Sequence, residues 1–176
     1  KLLPDEAMRL TIGLTGTREY PTLQTQKSEQ KDFFDLKGVV DALLQGLHIQ
    51  DISYRPARHP SFHPGKCAEV WAGEQRLGVL GELHPLVREH YEFDAGAVLA
   101  AELDADLLVD LSQTRFDHQS ISNYPFMVED IALIVPEGTP AAALEASIRQ
   151  AGGKLLVNAR LFDIYRGEKL GEGNKS

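Results

Sequence analysis

Three side chains that could hold a metal ion recur every four residues in the stretch HPSFHPGKC: His59, His63 and Cys67. Imidazole and thiolate are good zinc ligands, and a spacing of four places side chains on one face of a helix. Pro60 and Pro64 oppose that arrangement, because proline removes a backbone donor and its ring clashes with the preceding helical turn. No fourth ligand has paired spacing. A small zinc-binding module is therefore kept as an alternative, while the main reading assigns no metal ligand: the histidines order a loop and Cys67 packs in a strand. Beside Ala68 and Val70, Cys67 reads as a small buried hydrophobe rather than a nucleophile, and no catalytic residue is assigned. Asp104, Asp106 and Asp110 are most simply a solvated helix face. Gly171-x-Gly173 has no helix after it and no Gly-Lys-Ser order, so it is not a phosphate-cradling loop.

A second grouping is basic and aromatic. Arg149, Lys154, Arg160, Arg166, Lys169 and Lys175 lie in sequence near Phe162 and Tyr165, a mixture that can grip RNA through phosphate contacts and base stacking. Overall charge does not favour a nucleic-acid protein, since 18 basic residues face 26 acidic ones. The imbalance is local, however. Residues 1–119 carry 12 basic and 19 acidic residues, whereas residues 120–176 carry 6 and 7; the second segment is nearly neutral and can present a basic face.

The elements that must position these residues follow from periodicity. Met8 to Gly16 alternates as a strand does, and residues 17–32 read as a long polar loop. From Phe33 to Leu47 apolar residues recur at helical spacing behind Asp32, a candidate N-cap. His48 to Pro56 reads as a strand. The stretch His59 to Pro85 then reads as a proline-stiffened loop (59–66), two strands (67–72 and 77–80) around the turn Gly73-Glu74-Gln75, and the entry to a helix over 85–91. Ala97 to Leu103 is a further strand, and Asp104 to Asp110 a helical turn. Residues 112–123 lack period and read as a linker. Beyond them come a strand at Val128–Val135, a helix capped by Thr139 with Pro140 in its first position and stopped by Gly152-Gly153, and a strand from Leu155 to Tyr165. The last ten residues read as a turn. A 176-residue chain of ordinary composition suffices for one large or two small domains; its single cysteine excludes an internal disulfide, and no run approaches the apolar length that spans a bilayer. A soluble, cytoplasmic protein is expected.

Six blocks, in order, carry a resemblance to a known family. Asp32-Phe33-Phe34-Asp35-Leu36-Lys37-Gly38, His63-Pro64-Gly65-Lys66 and Leu77 through Pro85 (LGVLGELHP) resemble the synthetase-like module of the beta subunits of bacterial phenylalanyl-tRNA synthetases. Tyr124-Pro125 through Val135, Leu161 through Gly167 (LFDIYRG) and Gly173-Asn174-Lys175-Ser176 resemble their C-terminal ferredoxin-like anticodon-binding domain. The resemblance implies an α+β fold: an antiparallel class II synthetase-like sheet with flanking helices over residues 1–111, a linker at 112–123, and a partial ferredoxin-like β-α-β unit over 124–176. It implies a non-catalytic role, supporting the catalytic alpha subunit of an alpha2-beta2 assembly and contributing to tRNA(Phe) binding during phenylalanylation. The tRNA-contacting residues are then expected among Arg160, Tyr165, Arg166, Lys169 and Lys175, and His63, Pro64, Gly65, His84 and Pro85 shape a loop at the subunit surface. ATP and magnesium are implied for the holoenzyme, not for this segment, and the editing site lies in upstream domains.

Class II chemistry needs arginines to neutralise phosphates during adenylate transfer. No glycine-rich run ending in Arg occurs, and Tyr165-Arg166-Gly167-Glu168, which fits a loose aromatic-Arg-x-acid pattern, lies in the wrong unit. An active ATP-dependent ligase is accordingly the rival reading. The family usually has a basic residue just before the Asp-Ile-Ala strand, where this chain has Glu129. In a ferredoxin-like order the third strand lies between the first two, and 125–166 supply only the first strand, the helix and the second strand. Unpaired edges then lead to the expectation that the native protein continues past Ser176.

Overall fold

Alternation sets the main sheet. Along Val98–Asp104 the residues Leu99, Ala101 and Leu103 point one way and are 0–1% exposed, while Val98, Ala100 and Glu102 point the other way. In the computed structural model, which describes residues 4, 6–19, 22, 28–93, 96–114, 123–167 and 170–176, this strand pairs on both sides. The first of two units, Lys1–Gln119, contains β1 (Arg9–Thr15), β2 (Ile52–Pro56), β3 (Phe62–Ala72), β4 (Gln75–Leu83) and β5 (Val98–Asp104) in an antiparallel sheet of order β1-β5-β4-β3-β2.

Helix α1 (Phe33–Gly46) covers one face. Leu36, Val40 and Leu44, one turn apart, are fully buried against Val70, Leu77, Leu80, Leu99 and Leu103. Its start is a capping box: the Phe34 and Asp35 N–H groups donate to the Asp32 carboxylate, and the Asp32 N–H donates to Asp35. That last bond, followed by Arg18, holds the Asp35 carboxyl below its usual range. Arg18 also meets Glu29 and Asp32, and main-chain bonds from Arg18 to Glu29 and from Lys31 to Gly16 zip the two ends of the 17–32 loop together. On the same sheet face Tyr54 donates to Asp41 at 2.5 Å, and the Lys37 ammonium sits 4.3 Å above the Tyr54 ring. Short helices α2 (Pro85–His90) and α3 (Ala105–Leu111) follow β4 and β5; Leu108 joins the core.

Two sequence expectations change here. The strand read from His48 begins only at Ile52, because His48 and Asp51 both have positive φ of 56° and turn the chain out of the helix. The loop read over 59–66 is strand from Phe62 onward. Phe62 pairs with Leu83 and Cys67 with Gly81, so five steps on β3 face two on β4, and His63-Pro64-Gly65-Lys66 form a bulge opposite Glu82. A bulge is where a strand admits proline, because no ladder bond is lost there.

The second unit, Ser120–Ser176, holds β6 (Val135–Pro136), α4 (Ala141–Gly152), a 3-10 turn at Gly153–Leu155 and β7 (Asn174–Lys175). Neither long strand expected here forms as read. Of 128–135 only Val135 pairs, and 155–165 opens on the 3-10 turn, where the Leu156 N–H donates to Gly153, and pairs across to another segment at Tyr165. The last residues, read from sequence as an unattached turn, make the pairings that are present. Val135 pairs with Lys175 and Pro136 with Asn174, while Tyr165 and Ser176 exchange both main-chain bonds, at 2.7 and 3.0 Å. Residues 174–176 thus lie between the two runs, in the place of a third strand, and pair with Val135, Pro136 and Tyr165. The remaining stretches wall an apolar cavity of about 410 Å³ lined by Ile131, Leu133, Leu144, Ile148, Leu161 and Ile164. The α4 cap also differs by one residue: Pro140 is the N-cap with no side-chain bond, and the Thr139 N–H closes a turn on Pro136.

Candidate functional site

One local device recurs three times around the β3–β4 end. His59, His63 and His84 each precede a proline, and each imidazole Nδ1 accepts from the N–H two residues on: Ser61 at 3.3 Å, Gly65 at 3.1 Å and Leu86 at 3.2 Å. Proline pushes the preceding residue into extended backbone, from which its side chain reaches the i+2 amide as an Asn or Asp does in a turn. An accepting Nδ1 places the ring proton on Nε2. The His84 N–H donates to the Ser61 carbonyl at 2.9 Å, so the His59 turn and the start of α2 are fastened to each other. Of the predicted surface-loop residues, the structure brings His63, Pro64 and Gly65 of the bulge to the same end of the hairpin as His84 and Pro85. Lys66 bridges to Glu82 at 2.5 Å across the bulge. His84 also caps α2, with Pro85 in the first helical position. We predict that His84→Ala lowers stability by about 1 kcal/mol, the usual cost of losing a cap, while His84→Asn, which keeps the i+2 acceptor, costs less than half of that; urea unfolding of the two variants reads the difference.

The sheet face opposite α1 carries small residues in register. Gly13, Ala100, Gly81 and Cys67 lie side by side across four strands, and Phe62, Cys67 and Val79 form a buried cluster there with Leu83 and Ala57. Burial pushes the Cys67 thiol up, with Glu69 adding to the effect. Around the cluster two arginines are engaged: Arg76 meets Glu69 at 2.7 Å, and Arg55 lies 4.1 Å over the Trp71 ring. Trp71 in turn donates to Glu69 at 3.3 Å. Among the described residues no group of three or more His, Cys, Asp or Glu is placed to hold a metal ion.

In the second unit the predicted RNA-contacting residues do not lie on one strand. Arg166 and Lys175 converge on a residue that sequence reading passed over, Glu137 in the turn after β6. Arg166 donates through Nε and Nη2 to Glu137 Oε1 at 3.0 and 2.7 Å; the Lys175 ammonium donates to the Glu137 main-chain carbonyl at 2.7 Å, and the Glu137 N–H donates to the Gly173 carbonyl at 2.8 Å. The Arg166 guanidinium holds the Glu137 carboxyl below its usual range. Tyr165 is exposed next to this cluster in sequence and fixed by its two main-chain bonds to Ser176. Arg160 is exposed and lines the apolar cavity rather than the Glu137 cluster. Lys169 lies outside the described residues, as does most of the 112–123 segment read as a linker. Glu137 could have been found only by knowing that residue 175 pairs with residue 135; nothing in the spacing of 137 from 166 signals it.

Comparison with known proteins agrees with both units. Residues 1–105 match the family model described as the phenylalanyl tRNA synthetase beta chain CLM domain, and residues 122–176 match the ferredoxin-fold anticodon binding domain. Over 99% of its length the chain is 38% identical to the phenylalanine–tRNA ligase beta subunit of Symbiobacterium thermophilum, and over 98% it is 38% identical to that of Moorella thermoacetica. The beta subunit of Clostridium tetani matches across the whole chain at 34% identity. In each case the chain spans about a fifth of the relative, 19% of the first and 21% of the other two. A family model that fits the sheet unit and a second that fits the β-α-β unit, in one order and with relatives that match this chain from end to end, make this chain a member of the phenylalanyl-tRNA synthetase beta-chain family.

Proposed function

We propose that this chain is a non-catalytic part of a phenylalanine–tRNA ligase beta subunit, in which residues 1–111 support the catalytic alpha subunit of an alpha2-beta2 assembly and residues 124–176 contribute to tRNA(Phe) binding in the cytoplasm. The observation that carries this is the joining, in one chain, of a synthetase beta-chain module to an anticodon-binding ferredoxin fold. The chemistry of the open sheet face supports it. Adenylate formation requires cationic groups free to meet phosphate, and here Arg55 and Arg76 are committed to Trp71 and Glu69 while Phe62, Val79 and Cys67 fill the centre. ATP and magnesium accordingly belong to the alpha subunit's site, and no residue of this chain is assigned to them. The bulge at His63-Pro64-Gly65, with His84 and Pro85, offers a rigid corner for subunit contact. Arg160, Tyr165, Arg166, Lys169 and Lys175 offer cations and a ring to RNA.

The test uses the intact gene product that contains this chain. A tag on it is expected to retain the alpha subunit, and amino-acid-dependent ATP–pyrophosphate exchange is expected only when alpha is present. Replacing Arg160 and Lys175 by alanine is expected to weaken tRNA(Phe) binding by roughly three- to tenfold and flatten its salt dependence, with exchange unchanged. Exchange by the alpha-free protein would support the ligase reading instead, and unchanged tRNA affinity would remove these residues from the RNA surface.

A further inference from the structure

The contacts of Glu137 go beyond holding two segments together. We infer that Glu137 is an anionic gate on the RNA-contacting surface, occupying Arg166 until a backbone phosphate displaces it; this rests on the tRNA-binding role proposed above.

The argument starts from what each part of Glu137 does. Its main chain is structural: the N–H bonds Gly173 and the carbonyl receives the Lys175 ammonium, so Lys175 is placed whatever side chain residue 137 carries. The hydrogen bond that places Lys175 is made to the carbonyl, and the carboxylate adds only a through-space attraction. Oε1 alone receives both the Nε and the Nη2 donors of Arg166, which is the edge of a guanidinium that phosphate also prefers, through paired parallel hydrogen bonds. An RNA phosphate approaching Arg166 by that edge must therefore displace Glu137. The exchange is open to solvent, since the Arg166 side chain is 59% exposed and that of Glu137 48%. An exposed ion pair of this kind has a small net strength, weak enough for a polyanion already held by neighbouring cations to break. The gate sets selectivity: an isolated anion gains little from exchanging one carboxylate for another oxyanion, whereas a strand held at Lys175 as well presents its phosphate at high effective concentration. It also accounts for a surface that binds RNA from a unit with 6 basic and 7 acidic residues.

The experiment measures binding of a tRNA(Phe) transcript by the intact, alpha-associated protein with Glu137→Gln, Glu137→Ala, Arg166→Ala and the Glu137→Gln/Arg166→Ala pair, over a salt series. Both Glu137 variants are expected to bind roughly two- to fivefold more tightly, with a plot of log affinity against log salt steeper by about one unit for Glu137→Gln, because Arg166 then releases a solution counterion rather than a protein carboxylate. In the Arg166→Ala background the gain from Glu137→Gln is expected to vanish. A strut that merely positions Arg166 would instead make Glu137→Ala weaker, and a general field effect would leave the gain intact without Arg166; either result overturns the gate. Failure of the proposed tRNA-binding role looks different: neither the wild-type protein nor any variant would then bind the transcript above the level of an unrelated acidic protein, and the gate falls with it.

Discussion

Gly78→Ala is expected to unfold the first unit or leave it marginal, at a cost of about 4 kcal/mol or more. Gly78 sits in the middle strand of the five, between Val70 on β3 and Leu103 on β5. Its backbone has no positive φ, so the requirement is space and not conformation. A Cβ built there overlaps the Glu102 carbonyl oxygen and lies 2.9 Å from both Leu103 Cα and Leu103 Cδ2. Leu103 is fully buried and touches the α1 side of the core, so it cannot swing away, and the carbonyl is backbone. Relief requires the β4–β5 ladder to open around residues 102 and 103. Ladder bonds worth about 1 kcal/mol each are then lost on top of an overpacking cost of about 1–3 kcal/mol, against a total stability of about 5–15 kcal/mol for a domain. Two other glycines provide the contrast. At Gly13 on the edge strand and Gly38 in α1, an added methyl meets nothing within 4 Å; Gly13→Ala is expected to be close to neutral, and Gly38→Ala to gain about 0.5–1 kcal/mol from helix propensity. Urea unfolding monitored by circular dichroism separates the three, and a Gly78→Ala protein with wild-type midpoint would show that the two strands are not packed as described.

The same glycine shows where the sequence was readable. LGVLGELHP announces a strand by its apolar run, and α1 by its period and Asp32 cap, because the signals are local and the burial they anticipate is real. Element ends were harder. Helices α1 and α2 both close through a residue in the left-handed region that is not glycine, His48 at φ 56° and Glu92 at φ 53°. The capping bonds are the ordinary ones: Ile49 and His48 donate to Leu44 and Gln45, and Phe93 and Glu92 to Arg88 and Glu89. Without a glycine to mark the stop, a reading by residue type runs the strand after α1 back to His48. The bulge at 63–66 reads as loop for a related reason, since proline and glycine announce irregularity but not whether pairing resumes beyond it.

The second unit failed to match its expected strands through something a local reading cannot contain. Val128–Val135 and Leu155–Tyr165 have strand composition, yet a strand is defined by a neighbour that satisfies its backbone, and the pairings with Asn174, Lys175 and Ser176 reach only Val135, Pro136 and Tyr165. The candidate site shares this dependence. Composition drew attention to Arg166 and Lys175, because cations near aromatic residues are visible along the chain. Their common partner was not visible: Glu137 is 29 and 38 residues away from them and becomes adjacent only when residue 175 pairs with residue 135. The spacing of His59, His63 and Cys67 raises metal binding, but the reading that the histidines order a loop is the one the turn bonds support. In His59, His63 and His84 alike, Nδ1 serves the amide two residues on, a use that the following proline announces.

Tyr54→Phe is expected to cost about 1.5 kcal/mol at neutral pH and to change how the first unit responds to alkali. Tyr54 on β2 faces the core side beside Val70, and its hydroxyl donates to the Asp41 carboxylate at 2.5 Å. A hydrogen bond to a charged group is worth about 1.5–3 kcal/mol, and the lower end applies because the Asp41 side chain is 44% exposed. Phenylalanine keeps the ring under the Lys37 ammonium, so packing is held constant and the hydroxyl alone is removed. Burial first, and then the bond and the charge of Asp41, push the Tyr54 hydroxyl far above its ordinary value. A group whose folded pKa is raised contributes stability that is fully present below its unfolded value, about 10 for tyrosine, and that is lost as pH rises from there toward the folded value. In the unfolded chain Tyr54 releases its proton above pH 10; in the folded chain it does not, so the unfolded state gains. The stability difference between wild type and Tyr54→Phe should therefore stay constant from pH 7 to 9 and shrink by about 1 kcal/mol between pH 10 and 11. Contributions from groups remote from Tyr54 are common to both proteins and cancel in the difference. Parallel urea titrations at pH 8, 10 and 11 decide the matter: a difference that does not narrow above pH 10 would mean that the hydroxyl is solvated and that Asp41 holds Lys37 alone.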